Sequence, residues 1–187
     1  MSVNVFLDRR DILFWAAQVL GFIICILSSL SYFTKKKSSY LYAQLSVNVL
    51  YAAQYFMLGS VAGGINNIVS LAKYIFFAHN AKKGKENTKA SILFFCALSI
   101  VLGIPAISGW HTFIPLITSL LFTYAIWQEN PIVLRIIAMI CNVLWVIFNF
   151  QVQAYVSMVY SIFEFIVAFI TLILIIRKGK KDELQDS

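Results

Sequence analysis

Charge is what this sequence has least of. Asp, Glu, Lys and Arg together make up 12% of it, against 60% hydrophobic and 16% aromatic residues. A soluble domain carries about 25% charged residues, so an ordinary water-soluble fold is excluded. Histidine is scarcer, with two residues, His79 and His111, and the topology below places them on opposite sides of a membrane, unable to share a metal or a catalytic centre. No His–carboxylate pair, nucleophile elbow or phosphate-binding loop occurs, so neither an enzyme nor a cofactor is expected. The three cysteines, Cys25, Cys96 and Cys141, share no spacing and fall in apolar blocks. They form neither a disulfide framework nor a metal site and read as small polarizable core residues. A cleavable leader is not expected either, because the first apolar block is too long and lacks a small-residue cleavage site.

What the chain has instead is apolar blocks of membrane-spanning length. A hydrocarbon core about 30 Å thick needs roughly 20 apolar residues per helix. Seven helices are predicted: about Asp11–Phe33, Ser39–Leu58, a third from the Gly59–Gly64 turn to Phe77, Ser91–Ile107, Thr112–Trp127, a sixth opening at Pro131 and ending near Gln151–Gln153, and Ala154–Ile176. A hydrophilic linker, His79–Lys89, separates the third from the fourth.

The +7 net charge is carried by clusters at helix ends without interleaved aromatics, so no nucleic-acid partner is expected. Two of the 15 basic residues, Arg9 and Arg10, lie on the amino-terminal side, and Lys73 lies inside a helix. The other twelve fall on the opposite side: Lys35–Lys37, Lys82, Lys83, Lys85, Lys89, Arg135, Arg177, Lys178, Lys180 and Lys181. The excess predicts an amino terminus outside and a carboxyl terminus in the cytoplasm. Trp15, Trp110 and Trp127 fall near helix ends, as interfacial belt residues do.

The chain also repeats itself. Asn48-Val49-Leu50-Tyr51 returns as Asn142-Val143-Leu144-Trp145, and at the same offset of 94 Phe56 falls on Phe150 and Ile68 on Ile162. The offset carries helices one to three onto five to seven. An odd number of helices per unit plus one connecting helix gives two units of the same orientation. The expected plan is a first repeat over 11–79, a linker and connecting helix over 80–107, a second repeat over 112–177, and a cytoplasmic tail over 178–187.

Polar residues in hydrocarbon are costly unless they face protein or water. Gln44, Asn48, Tyr51 and Tyr55 recur on one face of helix two, and Asn142, Trp145 and Asn149 on one face of helix six. Helix three offers Asn66, Asn67, Ser70 and Lys73, and helix seven offers Ser157, Tyr160, Ser161 and Glu164. Singly, each of these reads as interhelical hydrogen-bond glue. As a set, Asn48, Tyr51, Tyr55, Ser70, Asn142, Trp145, Asn149 and Glu164 read as the two walls of a binding site for a small polar solute. Glu164, near the centre of its helix, is a proton carrier, a ligand for a cationic group, or a structural partner. Lys73 is expected to snorkel to the cytoplasmic interface, with an ion pair to Glu164 as the alternative. Pro115 inside helix five and Gly21 at the matching place in helix one are candidate hinges, against the bland reading that both residues are simply common in membrane helices.

The 3+1+3 plan resembles SWEET-type and, more closely, PnuC-type transporters. The stretches Val47–Tyr51, Leu58-Gly59 and Trp145–Phe150 are more similar still to the YgjV family of bacterial inner-membrane proteins. In SWEET-type proteins an aromatic pair and an asparagine pair enclose the ligand. The positions that resemble these are Tyr51 with Trp145 and Ser70 with Glu164, the second pair departing from the family pattern. The resemblance implies transport of a small polar organic solute (a vitamin precursor, nucleoside or sugar) by alternating access, as a facilitator or proton-coupled carrier without ATP. The alternative is a non-transporting receptor or assembly protein of the same fold. The expected partners are the lipid bilayer and the solute, and a homo-oligomer is compatible with this reading.

Overall fold

The structure, a computed structural model, describes residues 9–31, 37–85, 88–128 and 130–185, with the backbone alone for residues 9, 31, 37–41, 81 and 178–185. Of the charged residues used above, Lys35 and Lys36 lie outside the described residues. Seven α-helices follow in order: α1 (Arg9–Ser31), α2 (Lys37–Met57), α3 (Val61–Lys82), α4 (Lys89–Gly103), α5 (Phe113–Gln128), α6 (Pro131–Gln151) and α7 (Tyr155–Gln185).

Several ends differ from expectation. α3 continues five residues past Phe77, so part of the expected linker is helical. α4 stops at Gly103 because Pro105 follows, and the chain tightens into a 3-10 turn over Ile104–Ala106. The backbone of α7 runs on to Gln185, so the expected tail is largely a helical extension. Pro131 opens α6 as expected, behind Asn130, whose Oδ1 accepts from the Ile132 and Val133 amides at 2.9 and 3.4 Å.

Polarity is turned inside out. Trp15, Val19, Phe22 and Leu30 are more than half exposed, and so are Trp110, Phe150 and Leu174. Gln54, Lys73, Thr123, Asn149 and Ser157 are buried. Such an arrangement is stable only where the surroundings are apolar. Among the described residues, five helices, α1, α3, α4, α6 and α7, are long and apolar enough to cross a membrane. α5 has 16 residues, and α2 is interrupted by the inward-facing Gln44, Asn48 and Gln54.

The offset of 94 recurs in three dimensions. α2 packs on α3 and α6 on α7; α1 packs on α2 and α7; α5 packs on α6 and α3. Shifting α1–α3 onto α5–α7 maps each of these contacts onto another, while α4 stands against α3 and α5. The turns match as well. After α2, the Gly59 amide bonds to Phe56 O and the Ser60 amide to Tyr55 O, at 3.0 and 2.8 Å. After α6, the Gln153 amide bonds to Phe150 O and the Ala154 amide to Asn149 O, at 3.2 and 2.8 Å. Both are Schellman caps with a left-handed residue at the corner, φ 75° at Gly59 and 59° at Gln153. A side chain in that conformation costs about 1 kcal/mol. Gln153→Gly is therefore expected to raise stability by up to about 1 kcal/mol, and Gly59→Gln to lower it similarly, read by thermal unfolding in detergent.

Candidate functional site

A cavity of about 430 Å³ is lined from α1, α2, α3, α5, α6 and α7. It runs along α6 from Asn149, near the carboxyl end, to Pro131, the first residue, 18 residues or roughly 27 Å of helix. Its walls come from the faces the sequence marks as polar. Asn48, Tyr51 and Tyr55 contribute from α2, Ser70 and Lys73 from α3, Asn142, Trp145 and Asn149 from α6, and Glu164 from α7. All nine residues singled out for binding or charge thus line one space. Gly21 and Pro115 do not line it.

The Asn149 end is crossed by a hydrogen-bonded seam. Tyr55 Oη donates to Asn149 Oδ1 at 2.7 Å, joining α2 to α6. Asn149 Nδ2 donates to Ser161 Oγ at 3.3 Å, and Ser161 Oγ donates to Ser157 O at 3.0 Å. Ser157 Oγ donates to Gln54 Oε1 at 2.9 Å, and Gln54 Nε2 donates to Ala17 O at 3.0 Å. The seam ties α1, α2, α6 and α7 together. Gln18 adds a second tie between α1 and α7, donating to Gln153 O at 2.7 Å and accepting from the Val156 amide at 3.2 Å.

Aromatic packing backs this seam. Tyr55 stacks on Tyr51 with ring centroids 6.0 Å apart, and on Trp145 at 5.9 Å, both nearly parallel. This differs from the expected arrangement, in which Tyr51 and Trp145 face each other across a ligand. Tyr55 contacts both rings because its register on α2 points it at α6. Phe148 meets Tyr55 and Trp145 edge-on and fills the space beneath them.

Polar groups on the walls fall into two kinds. Asn48 Nδ2 donates to Gln44 O at 2.7 Å, Asn67 Nδ2 to Gly63 O at 2.8 Å, and both ends of the Asn149 amide are engaged. By contrast, the Asn142 amide, the Trp145 indole, the Tyr51 hydroxyl and the Ser70 hydroxyl make no hydrogen bond with any described residue. Asn66 Oδ1 is buried without a partner among the described residues, between the large cavity and a void of about 10 Å³ beside Ser99 and Ser119.

Lys73 takes neither expected course. Its side chain is buried at 3% exposure and does not reach the interface. Nζ donates to Ser119 Oγ at 2.8 Å, Ser119 O at 3.3 Å and Thr123 Oγ1 at 3.3 Å, all on α5, and not to Glu164. The reason is local: Ser119 and Thr123 stand one turn apart on the α5 face packed against α3, and Ser119 Oγ also bonds to Ser99 Oγ of α4 at 2.9 Å. Snorkelling would give up all three of these bonds.

Residues 15–180 match the model of the family Imp-YgjV, described as bacterial inner membrane protein. The chain belongs to that family. No protein of curated function and no solved structure matches it. The family therefore supplies a membrane and no solute, and the chemistry has to come from the cavity itself.

Within this family member, the two candidate hinges have distinct surroundings. Pro115 is the third residue of α5, in a first turn where no mid-helix hydrogen bond is there to be lost. A Cβ on Gly21 would lie 2.6 Å from Gln54 Nε2 and 3.3 Å from Val156 Cβ, so this glycine is where α1 presses on α2 and α7. Sequence reasoning missed Gln18, Gln54, Ser119, Thr123 and Arg135. Ser119 and Thr123 carry a visible signal, a pair of hydroxyls four residues apart in an otherwise apolar block. Gln54 carries the same signal, an amide inside a helix.

Proposed function

We propose that the protein is a transporter of a small polar organic solute, moving it by alternating access without ATP. The observation that carries this reading is the cavity, whose walls present Tyr51, Ser70, Asn142 and Trp145 with polar groups bonded to nothing else in the described protein. Its volume falls in the range of roughly 300–1,000 Å³ typical of small-molecule sites. Buried polar groups in a membrane protein are otherwise satisfied by neighbouring helices. In this reading Trp145 and Tyr51 stack on the solute, while Ser70, Asn142 and Glu164 bond to it. Asn48, Tyr55 and Asn149 shape the same walls, with the Tyr55–Asn149 seam crossing one end.

The matching contacts and turns at an offset of 94 support a 3+1+3 plan of seven spans, of the kind SWEET- and PnuC-type carriers have. Rocking of the two units about α1 and α5, at Gly21 and Pro115, would then expose the cavity alternately. The basic helix ends support an outside amino terminus and a cytoplasmic carboxyl terminus, with the Pro131 end of the cavity facing the cytoplasm. A receptor or assembly role of the same fold calls for an interior whose amides satisfy one another, and the cavity weighs against it.

The test is osmotic swelling of proteoliposomes in a panel of sugars, nucleosides, amino acids and vitamin precursors. At least one solute should enter faster than into protein-free vesicles, and Trp145→Ala and Glu164→Gln should each slow it at least tenfold, the loss of about 1.4 kcal/mol. Unimpaired entry in both variants would remove these side chains from the mechanism. Loss of pH dependence in Glu164→Gln alone would assign proton coupling to Glu164.

A further inference from the structure

The sharpest chemical fact about the cavity is an ammonium group. Lys73 sits midway along α3, lines the cavity, and is buried at 3% exposure. Its hydrogen-bond partners, Ser119 Oγ, Ser119 O and Thr123 Oγ1, are all neutral. Neutral oxygens satisfy the N–H groups but leave the charge uncompensated, and an uncompensated charge in a low-dielectric interior is expensive. The three bonds it donates to α5 also fix the ammonium in place on the cavity wall.

The balance of the wall points the same way. Its charged side chains are Lys73, Arg135 and Glu164, two cations to one carboxyl. Arg135 stands in the second turn of α6, toward the Pro131 end, and makes no hydrogen bond or ion pair with any described residue. An anion entering from that end meets a guanidinium first and a fixed ammonium deeper in, an arrangement that concentrates negative charge in a narrow cleft.

Resting on the transport reading, we propose that the solute bears an anionic group, a carboxylate or a phosphate, which becomes the counter-charge of Lys73. The rest of the solute then lies toward Trp145 and Tyr51, whose flat faces suit an unsaturated or ring-bearing body. A zwitterion fits the same wall, with its anionic end at Lys73. A purely cationic or neutral solute leaves the ammonium uncompensated in the loaded state.

Thermal unfolding of the purified full-length protein in detergent tests this with matched probes. Benzoate, phenyl phosphate and phenylalanine are compared with benzamide, benzyl alcohol and benzylamine. Specific binding to the folded state raises apparent Tm in proportion to the logarithm of ligand concentration. At least one of the three anion-bearing probes should raise it, and the neutral and cationic probes should not. The shift should vanish in Lys73→Met and in Lys73→Gln, which keeps a hydrogen-bonding group for Ser119, and survive in Lys73→Arg. The comparison between acids and amide in the unaltered protein stands even if a variant fails to fold. The proposal is overturned if no acid shifts Tm, if the neutral or cationic probes shift it as much, or if the acid shift survives the loss of the Lys73 charge. Stabilisation by a neutral or cationic probe that Trp145→Ala abolishes would overturn the anion assignment while leaving the transport reading intact. Binding without vesicle entry would do the reverse.

Discussion

Phe148→Ala is expected to destabilise the folded protein by about 3 kcal/mol or more, whereas Phe150→Ala, two residues along the same helix, should change stability by less than about 0.5 kcal/mol. Phe148 is fully buried, under Tyr55 and Trp145 and against Ile114 and Ala154. Its truncation opens a cavity that the surrounding helices cannot close, because α3 already approaches to the limit at Gly63. Phe150 is 59% exposed on the outer surface, where lipid replaces whatever contact is lost. The transfer contribution is smaller in a bilayer than in water, so the cost at Phe148 is mostly lost packing. Thermal unfolding of both variants in one detergent measures the difference. Equal effects would show that Phe148 does not hold the two units together.

The second large effect is expected at Gly63. A Cβ there would lie 2.7 Å from the Tyr55 ring and 3.1 Å from the Phe148 ring. Gly63→Val should cost about 2–3 kcal/mol, as overpacking of a closed site does. Pushing Tyr55 aside should also break its stack on Trp145 and stretch the 2.7 Å bond to Asn149. An altered tryptophan emission accompanying the fall in stability distinguishes this from a general loosening. Gly84→Val, destabilising through the left-handed φ of 64° rather than through any contact, leaves the emission unchanged.

The faces of the helices were legible because their polar residues recur at three and four. Asn48, Tyr51 and Tyr55 on one helix and Asn142, Trp145 and Asn149 on another could be assigned to the same interior from spacing alone. Which of those groups bond to protein and which face open space could not be read this way, since it depends on register between helices. Tyr55 is the clearest example: its place on the α2 face is evident, but its position against both Tyr51 and Trp145 follows from how α2 meets α6. Lys73 failed for a related reason. Its distance from the interface permitted snorkelling, and only the facing hydroxyls of Ser119 and Thr123, 46 and 50 residues away, decide otherwise. Pro115 falls in the first turn of its helix from either start, the expected Thr112 or the observed Phe113.

The bond between Tyr55 and Asn149 spans 94 residues, the same interval that would relate the two units of a 3+1+3 plan. Corresponding positions can touch only where they straddle the axis that exchanges one unit for the other. Two identical units would present the same side chain from both sides there, a phenol against a phenol or an amide against an amide. Carrying both units in one chain lets the two sides differ, so that a phenol can meet an amide there. The seam at the end of the cavity is thus a contact that a symmetric pair of such units could not make.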